Sequence, residues 1–310
     1  MQRYASLARI LSLALLWGSG FLWIKISLNG LIPTQLLFAR LALGAATLLV
    51  VLRIHGERLP TARTTWAHLA AAALVANVIP YLLFAIAEQE VDSAVAGMLN
   101  ATTPLWTMTL AYVTYQTRQL SALQALGLVL GLVGTLLIFS PWNLGTQFTS
   151  RGAVLCLIAA FSYAVSYLYM ARYLLSTDNS PLALSAAQLL MATGLAAFML
   201  PMSDGLRVPS WRIDTTASIV ILGILGTGLA YVLNYRIISE DGPVVASVVV
   251  YLLPVVAVLL GMLVLGERLT GSALLGMVVV LAGVAIARRR APQANGTSAR
   301  TTADTPEATR

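Results

Sequence analysis

Ten apolar stretches, each close to the thickness of a bilayer in helical length, follow one another along this chain. They fall at about 8–28, 33–52, 66–87, 93–114, 122–139, 152–174, 182–202, 215–237, 243–265 and 272–287. A spanning helix needs about 20 mostly apolar residues, so ten would use roughly 200 of the 310 positions and leave short loops. Composition agrees: 58% of the residues are hydrophobic and 10% charged, against about 45–50% and about 25% in soluble domains. Mean hydropathy is +0.83. The expected fold is an all-α integral membrane protein, with the stretch at 8–28 retained as a first helix, being long for a signal peptide and followed by no A-x-A-like cleavage pattern.

The net charge of +7 flanks the apolar runs instead of gathering on one face, which points to membrane orientation and away from nucleic acid. With a cytoplasmic N-terminus, Arg3, Arg9, Arg53, Arg58, Arg63, Arg118, Arg172, Arg236, Arg288, Arg289 and Arg290 fall inside. Arg151, Arg207, Arg212 and Arg268 fall outside. That bias predicts a multi-pass inner (plasma) membrane protein with both termini cytoplasmic. Residues 291–310 contain no large apolar side chain and are expected to form a disordered cytoplasmic tail.

The two halves repeat. Tyr81, Glu90, Ala96 and Pro104 recur 150 positions on as Tyr231, Glu240, Ala246 and Pro254. Pro33 and Arg40 map to Pro181 and Gln188, and Gly127 and Gly134 to Gly276 and Gly283. Five helices is an odd number, so the second copy, 151–290, enters the bilayer from the side opposite to the first, 1–140. The architecture expected is ten transmembrane helices as two inverted five-helix repeats, with a site near the midplane between them.

Charges near a bilayer centre are costly and are functional candidates by default; Lys25 and Arg40 qualify. Arg40, Gly44 and Thr47 share a helix face that would line a cavity, while Lys25, near its helix end, can also reach headgroups. Aromatic and polar stripes supply the rest of the expected substrate-binding set: Trp17, Asn77, Tyr81, Asn100, Tyr163, Tyr167, Gln188, Tyr231, Asn234 and Tyr251. Tyr81 and Tyr231 would face each other across the pseudo-twofold axis. Such walls with a few polar handles suit a small molecule, although tyrosines also form interfacial belts and Asn can be interhelical glue. Pro80, Pro104 and Pro254 interrupt apolar runs and serve as hinges or static bends. Gly127, Gly131 and Gly134 form a small-residue face for close helix packing.

What is missing narrows the function. The acidic residues lie in loops, tails or within about a turn of a helix end, leaving Glu88 as the nearest candidate for a proton relay. His55 and His68 sit at the second connection, so no metal site can be assembled in the core. The lone Cys156 excludes a disulfide framework. A phosphate-binding Gly-x-x-x-x-Gly-Lys-Ser/Thr loop is lacking, and Ser162 has no His or carboxylate on its own helix to make it a nucleophile. No catalytic residues and no cofactor are expected.

The chain resembles EamA-type transporters of the drug/metabolite transporter superfamily over residues 8–287. The similarity is carried by Leu16-Trp17-Gly18-Ser19-Gly20-Phe21 with Ile24-Lys25, by Phe38-Ala39-Arg40, and by Leu253-Pro254-Val255. It is strongest at Leu265-Gly266-Glu267-Arg268-Leu269-Thr270, followed by Gly276 and Ala282-Gly283. The corresponding first-half segment, Tyr115-Gln116-Thr117-Arg118-Gln119-Leu120, lacks the Gly-Glu-Arg signature. The resemblance implies ten helices, a central cavity and movement of small metabolites by alternating access. With the two cations it predicts a secondary transporter, an exporter of amino acids or related carboxylates. A broad-range drug exporter or lipid flippase is the alternative, and an integral membrane enzyme acting on lipid the more distant one. The partners expected are a small-molecule substrate and the lipid bilayer, with a homodimer left open.

Overall fold

The computed structural model describes residues 2–115, 122–140, 151–203, 206, 208–210, 212–265 and 271–287. The Gly266–Thr270 motif, its counterpart at 116–120 and the expected tail at 291–310 lie outside the described residues, as do Arg118, Arg207, Arg268 and Arg288–Arg290. Every regular element among the described residues is helical.

In the first half, α1 (Gln2–Gly18) and α2 (Gly20–Ser27) form one span broken at Ser19; α3 (Pro33–Ile54) returns. Next come α4 (Arg63–Ala73) and α5 (Ile79–Ala87), joined by a π-helical turn at Leu74–Val78, then α6 (Ser93–Asn100), α7 (Thr103–Tyr115) and α8 (Ala122–Phe139). The second half repeats this order. It comprises α9 (Arg151–Tyr173), α10 (Pro181–Met199), α11 (Ile213–Gly223), a π-helical stretch at Ile224–Leu229, α12 (Ala230–Asp241), α13 (Pro243–Val248), a 3-10 turn at Val249–Tyr251, α14 (Leu252–Leu265) and α15 (Gly271–Ala287).

Local chemistry sets the starts and stops. Pro33, Pro181 and Pro243 occupy first-turn positions, where the missing N–H costs nothing. Ser180 accepts a hydrogen bond from the Ala183 amide at 3.0 Å and caps α10. Gly242, at φ 92, ends α12 in a conformation other residues avoid.

Among the described residues, seven helical segments are long and apolar enough to cross a membrane: Ser6–Ser27, Pro33–Ile54, Arg63–Ala87, Ala122–Phe139, Arg151–Tyr173, Pro181–Met202 and Ile213–Asp241. The stretch expected as one helix over 93–114 is instead two, separated at Ala101-Thr102. That over 243–265 is likewise interrupted, before Pro254. Each break leaves shorter helices than the hydropathy pattern implies, because the prolines cannot donate to the turn before them.

Large apolar side chains face outward along whole helix faces, such as Leu7, Leu11 and Leu15 on α1 and Leu274, Val278 and Leu281 on α15. Exposed apolar area on this scale is bilayer-facing surface. Inside, α8 and α15 are packed backbone to backbone. A Cβ on Gly127 would lie 2.5 Å from the Ala287 amide nitrogen, and one on Gly134 2.6 Å from that of Val280. Gly127 opposes Gly283 and Gly134 opposes Gly276, so these counterparts from the two halves run antiparallel. The Gly127-Gly131-Gly134 face is thus spent within the chain, with Tyr251 covering Gly131.

Candidate functional site

A cavity opens where the two halves meet. Its walls come from α1 and α2 (Trp17, Phe21), α3 (Arg40), α5 (Tyr81, Phe84), α6 (Asn100), α9 (Tyr163, Ser166, Tyr167) and α12 (Tyr231, Asn234). The space available to the centres of water-sized spheres is about 70 Å³, where one water needs roughly 10–15 Å³. That is room for a small metabolite.

Two backbone distortions build this site. π-Helical turns are found mostly as single-turn bulges inside α-helices, frequently at functional sites, and they shift carbonyls out of the α-helical register. The one at Leu74–Val78 and the one at Ile224–Leu229 begin 150 positions apart, as the internal repeat requires. Each offers a carbonyl to an aromatic donor from another helix. Tyr231 Oη donates to the Ala76 carbonyl at 3.0 Å, and Trp17 Nε1 donates to the Gly226 carbonyl at 3.1 Å. Ser162 Oγ donates to the adjoining Val75 carbonyl at 2.7 Å. The second bulge has Ala230 where the first has Pro80, so a proline is not needed to create it.

Arg40 is the charged group of the wall, and only 6% exposed. Its Nε donates to Thr227 Oγ1 at 2.7 Å, and Thr227 in turn donates to the Leu222 carbonyl at 2.9 Å. Its Cζ lies 3.6 Å from the centre of the Tyr81 ring. A buried guanidinium is thereby held by one hydroxyl and one ring face, with no carboxylate ion-paired to it among the described residues. An anionic group would complete the arrangement. Beside it, Asn234 Oδ1 is buried without a hydrogen-bond partner.

The remaining expected residues are placed as follows. Trp17, Tyr81, Asn100, Tyr163, Tyr167, Tyr231 and Asn234 line the cavity. Asn77 and Gln188 sit behind it: Gln188 Nε2 donates to Asn77 Oδ1 at 2.7 Å, and Tyr235 Oη donates to Gln188 Oε1. Tyr251 packs against Gly131 on the α8 side. Lys25 is outside the lining; its Nζ donates to the Glu88 and Val91 carbonyls at 2.5 and 3.3 Å. The Gly44 and Thr47 face also departs from expectation. Gly44 packs on Thr227 and the Gly223 carbonyl, and Thr47 donates to the Leu43 carbonyl, so of this stripe Arg40 alone reaches the cavity. Pro80 follows the first π-helical turn, and Pro104 and Pro254 follow the breaks before α7 and within the 243–265 stretch.

Three further contributors lie outside the expected substrate-binding set. Thr227 anchors Arg40, and the signal for it was its spacing of four from Tyr231. Phe84, one turn beyond Tyr81, extends the wall and stacks on Tyr163 with ring centres 6.1 Å apart. Glu88, expected at a helix end, is fully buried.

Residues 6–140 and 150–289 each match the EamA-like transporter family. The chain belongs to that family. It is 29% identical over 276 residues to a Bacillus subtilis (strain 168) protein named uncharacterized transporter YdfC, covering 87% of this chain and 86% of that one. It is 27% identical over 288 residues to the uncharacterized inner membrane transporter YedA of Escherichia coli (strain K12), covering 89% and 88%. A solved crystal structure with 19% identity superposes with a TM-score of 0.74 over 92% of this chain and 98% of the other, a likeness of fold alone. The resemblance carried by the helix-one, arginine and proline segments is therefore borne out. The chain is a multi-pass membrane transporter.

Proposed function

We propose that this protein is a secondary transporter of the cell's inner membrane that exports small metabolites bearing a carboxylate, amino acids or their relatives, by alternating access. The observation that carries this reading is Arg40, buried in the wall of an aromatic cavity with no carboxylate partner among the described residues. Burying a charge without an opposite charge is costly, and a binding site recovers the cost each time an anionic substrate arrives. The aromatic rings close round the apolar part of such a substrate, and Asn100 and Asn234 supply handles for a neutral polar group.

The cavity lies between two halves whose counterpart helices α8 and α15 run antiparallel. In this reading the chain is ten spans in two inverted repeats, and rocking one half against the other exposes the cavity to each side in turn. The breaks at Pro104 and Pro254 and the two π-helical turns are where the bundle bends.

The test is a metabolite profile, inside cells and in the medium, of cells overexpressing the protein against cells lacking it. Accumulation outside of an amino acid or carboxylate is the expected result. A profile unchanged among small metabolites, with a dye or lipid redistributed instead, would replace this reading with a broad-range drug exporter or lipid flippase.

A further inference from the structure

One helical turn past Phe84, beyond the end of the Arg63–Ala87 segment, the chain buries a carboxyl group completely. Glu88 has 0% exposure. Its surroundings are apolar: Phe84, Ala87, Val91, Val95, Ala96 and Cys156 form a cluster contributed by α5, the turn after it, α6 and α9. One carboxyl oxygen, Oε2, accepts a hydrogen bond from Ser93 Oγ at 2.9 Å. The other, Oε1, is buried with no partner.

The groups that face Glu88 from the packed elements are few. Lys25 on α2 and Arg40 on α3 act on it electrostatically, and it acts on Cys156 of α9; Ser93 at the start of α6 hydrogen-bonds it. Lys25 does not pair with the carboxylate. Its ammonium is bonded instead to the Glu88 and Val91 backbone carbonyls, which ties α2 to the turn between α5 and α6. Arg40 is occupied with Thr227 and Tyr81. Nearby Glu90 is directed elsewhere, toward Arg151 at 3.9 Å.

A carboxylate in an apolar pocket, given one hydroxyl and no ion pair, is held in its neutral form. Neutral, its Oε1 or Oε2 carries a proton and leaves Lys25 on the carbonyls. Ionised, it adds the attraction of an opposite charge for a lysine whose present acceptors are neutral carbonyls. We propose that Glu88 is a proton-binding site beside the transport cavity, and that losing its proton draws Lys25 off the two carbonyls onto the carboxylate, so that the tie of α2 to the α5–α6 turn passes from the Glu88 and Val91 backbone to the Glu88 side chain alone. The proton passes to solvent water, and returns to Glu88 when the lysine moves back to the carbonyls. The helix pair re-tied in this way carries the Phe21 and Phe84 walls of the cavity, so the proton site and the substrate site share α2 and α5. Use of the proton as coupling ion rests on the transporter reading; the proton site itself does not.

The experiment therefore reads protonation and movement with no substrate present. Infrared difference spectra of the purified full chain in lipid nanodiscs are taken while the pH is stepped through neutrality. A carboxylic acid carbonyl band is expected to persist at pH values where exposed carboxylates are ionised, to vanish in Glu88→Gln and to survive in Glu90→Gln. In parallel, spin labels on cysteines replacing exposed Asn29 and Gln89, with native Cys156 shielded by burial, report the gap between α2 and the α5–α6 turn. That gap is expected to change as the pH rises in the otherwise unaltered chain and to stay constant in Glu88→Gln. Absence of the band from the unaltered chain, its survival in Glu88→Gln, or a gap indifferent to pH would each overturn the proposal. Any of these results beside a positive metabolite profile would leave the transporter standing without this proton site, and the reverse pattern would separate them the other way.

Discussion

Arg40 shows how much one side chain can determine when its partners are few. Its Nε is fixed by Thr227 and its plane by Tyr81, so the guanidinium is oriented before any substrate arrives. A hydrogen bond to a charged group is worth about 1.5–3 kcal/mol, which is on the order of a tenfold to hundredfold change in affinity. Arg40→Ala is expected to lower transport of carboxylate substrates by that factor or more, while leaving membrane insertion intact. Uptake or export assays on membranes with matched protein levels check this; an unaltered rate would remove the arginine from the binding site. The arginine was visible in the sequence as a rare intramembrane charge. Thr227 was legible as part of a polar stripe with Tyr231 and Asn234 but not as the partner of Arg40, because a threonine in a helix bonds to its own backbone as readily as to a distant side chain. Glu88 was legible as a carboxyl group at a helix end and the nearest candidate for a proton relay, but its complete burial was not. A loop boundary says nothing of whether neighbouring helices close over it.

At the scale of elements, glycine and the π-helical turn are the devices that matter. Trp17 Nε1 and Tyr231 Oη each satisfy a carbonyl within a bulge, and the two carbonyls, of Gly226 and Ala76, are 150 positions apart. Removing one such bond costs about 0.5–1.5 kcal/mol, with a further penalty if the carbonyl stays buried. Trp17→Phe is therefore expected to lower thermal stability modestly in a detergent melt and to weaken substrate binding, with Trp106→Phe on the half-exposed face of α7 as an unaffected control. The α8–α15 contact is less forgiving. A side chain at Gly134 would have to displace the Val280 backbone, and overpacking of this kind costs typically 1–3 kcal/mol or more. Gly134→Val is expected to lower folding yield sharply in gel filtration, whereas Gly194→Ala, with nothing within 4 Å of the added carbon, leaves it unchanged. These glycine faces were legible as a spacing. Their partner was not, since a small-residue stripe looks the same whether it packs in the chain or against another copy.

At the scale of the whole molecule, the arginine bias and the two termini make a topology that can be measured. Arg9 pairs with Glu240 and Ser6 Oγ donates to Asp241 at 2.8 Å, so the start of α1 and the end of α12 share one face of the bundle. Lys25, Glu88 and Arg151 belong to the other, one span away. Single cysteines at exposed Arg58 and Asn29 are expected to react with an impermeant maleimide only from the cytoplasmic and only from the external side, respectively; the opposite pattern would invert the molecule. The membrane class, the order of the helices and the two-fold internal repeat were all set by the chain itself. Hydropathy and the recurrence of Tyr, Glu, Ala and Pro at a fixed interval are local properties, each readable without neighbours. What only the tertiary structure decided is which polar groups meet: Arg40 with Thr227 and Tyr81 at the cavity, Gln188 with Asn77 and Tyr235 behind it, and Glu88 sealed under apolar side chains beside Lys25. Those meetings depend on helix rotation and crossing, and helices that present lipid on one side and protein on another carry no strong contrast in hydropathy to announce which face turns inward.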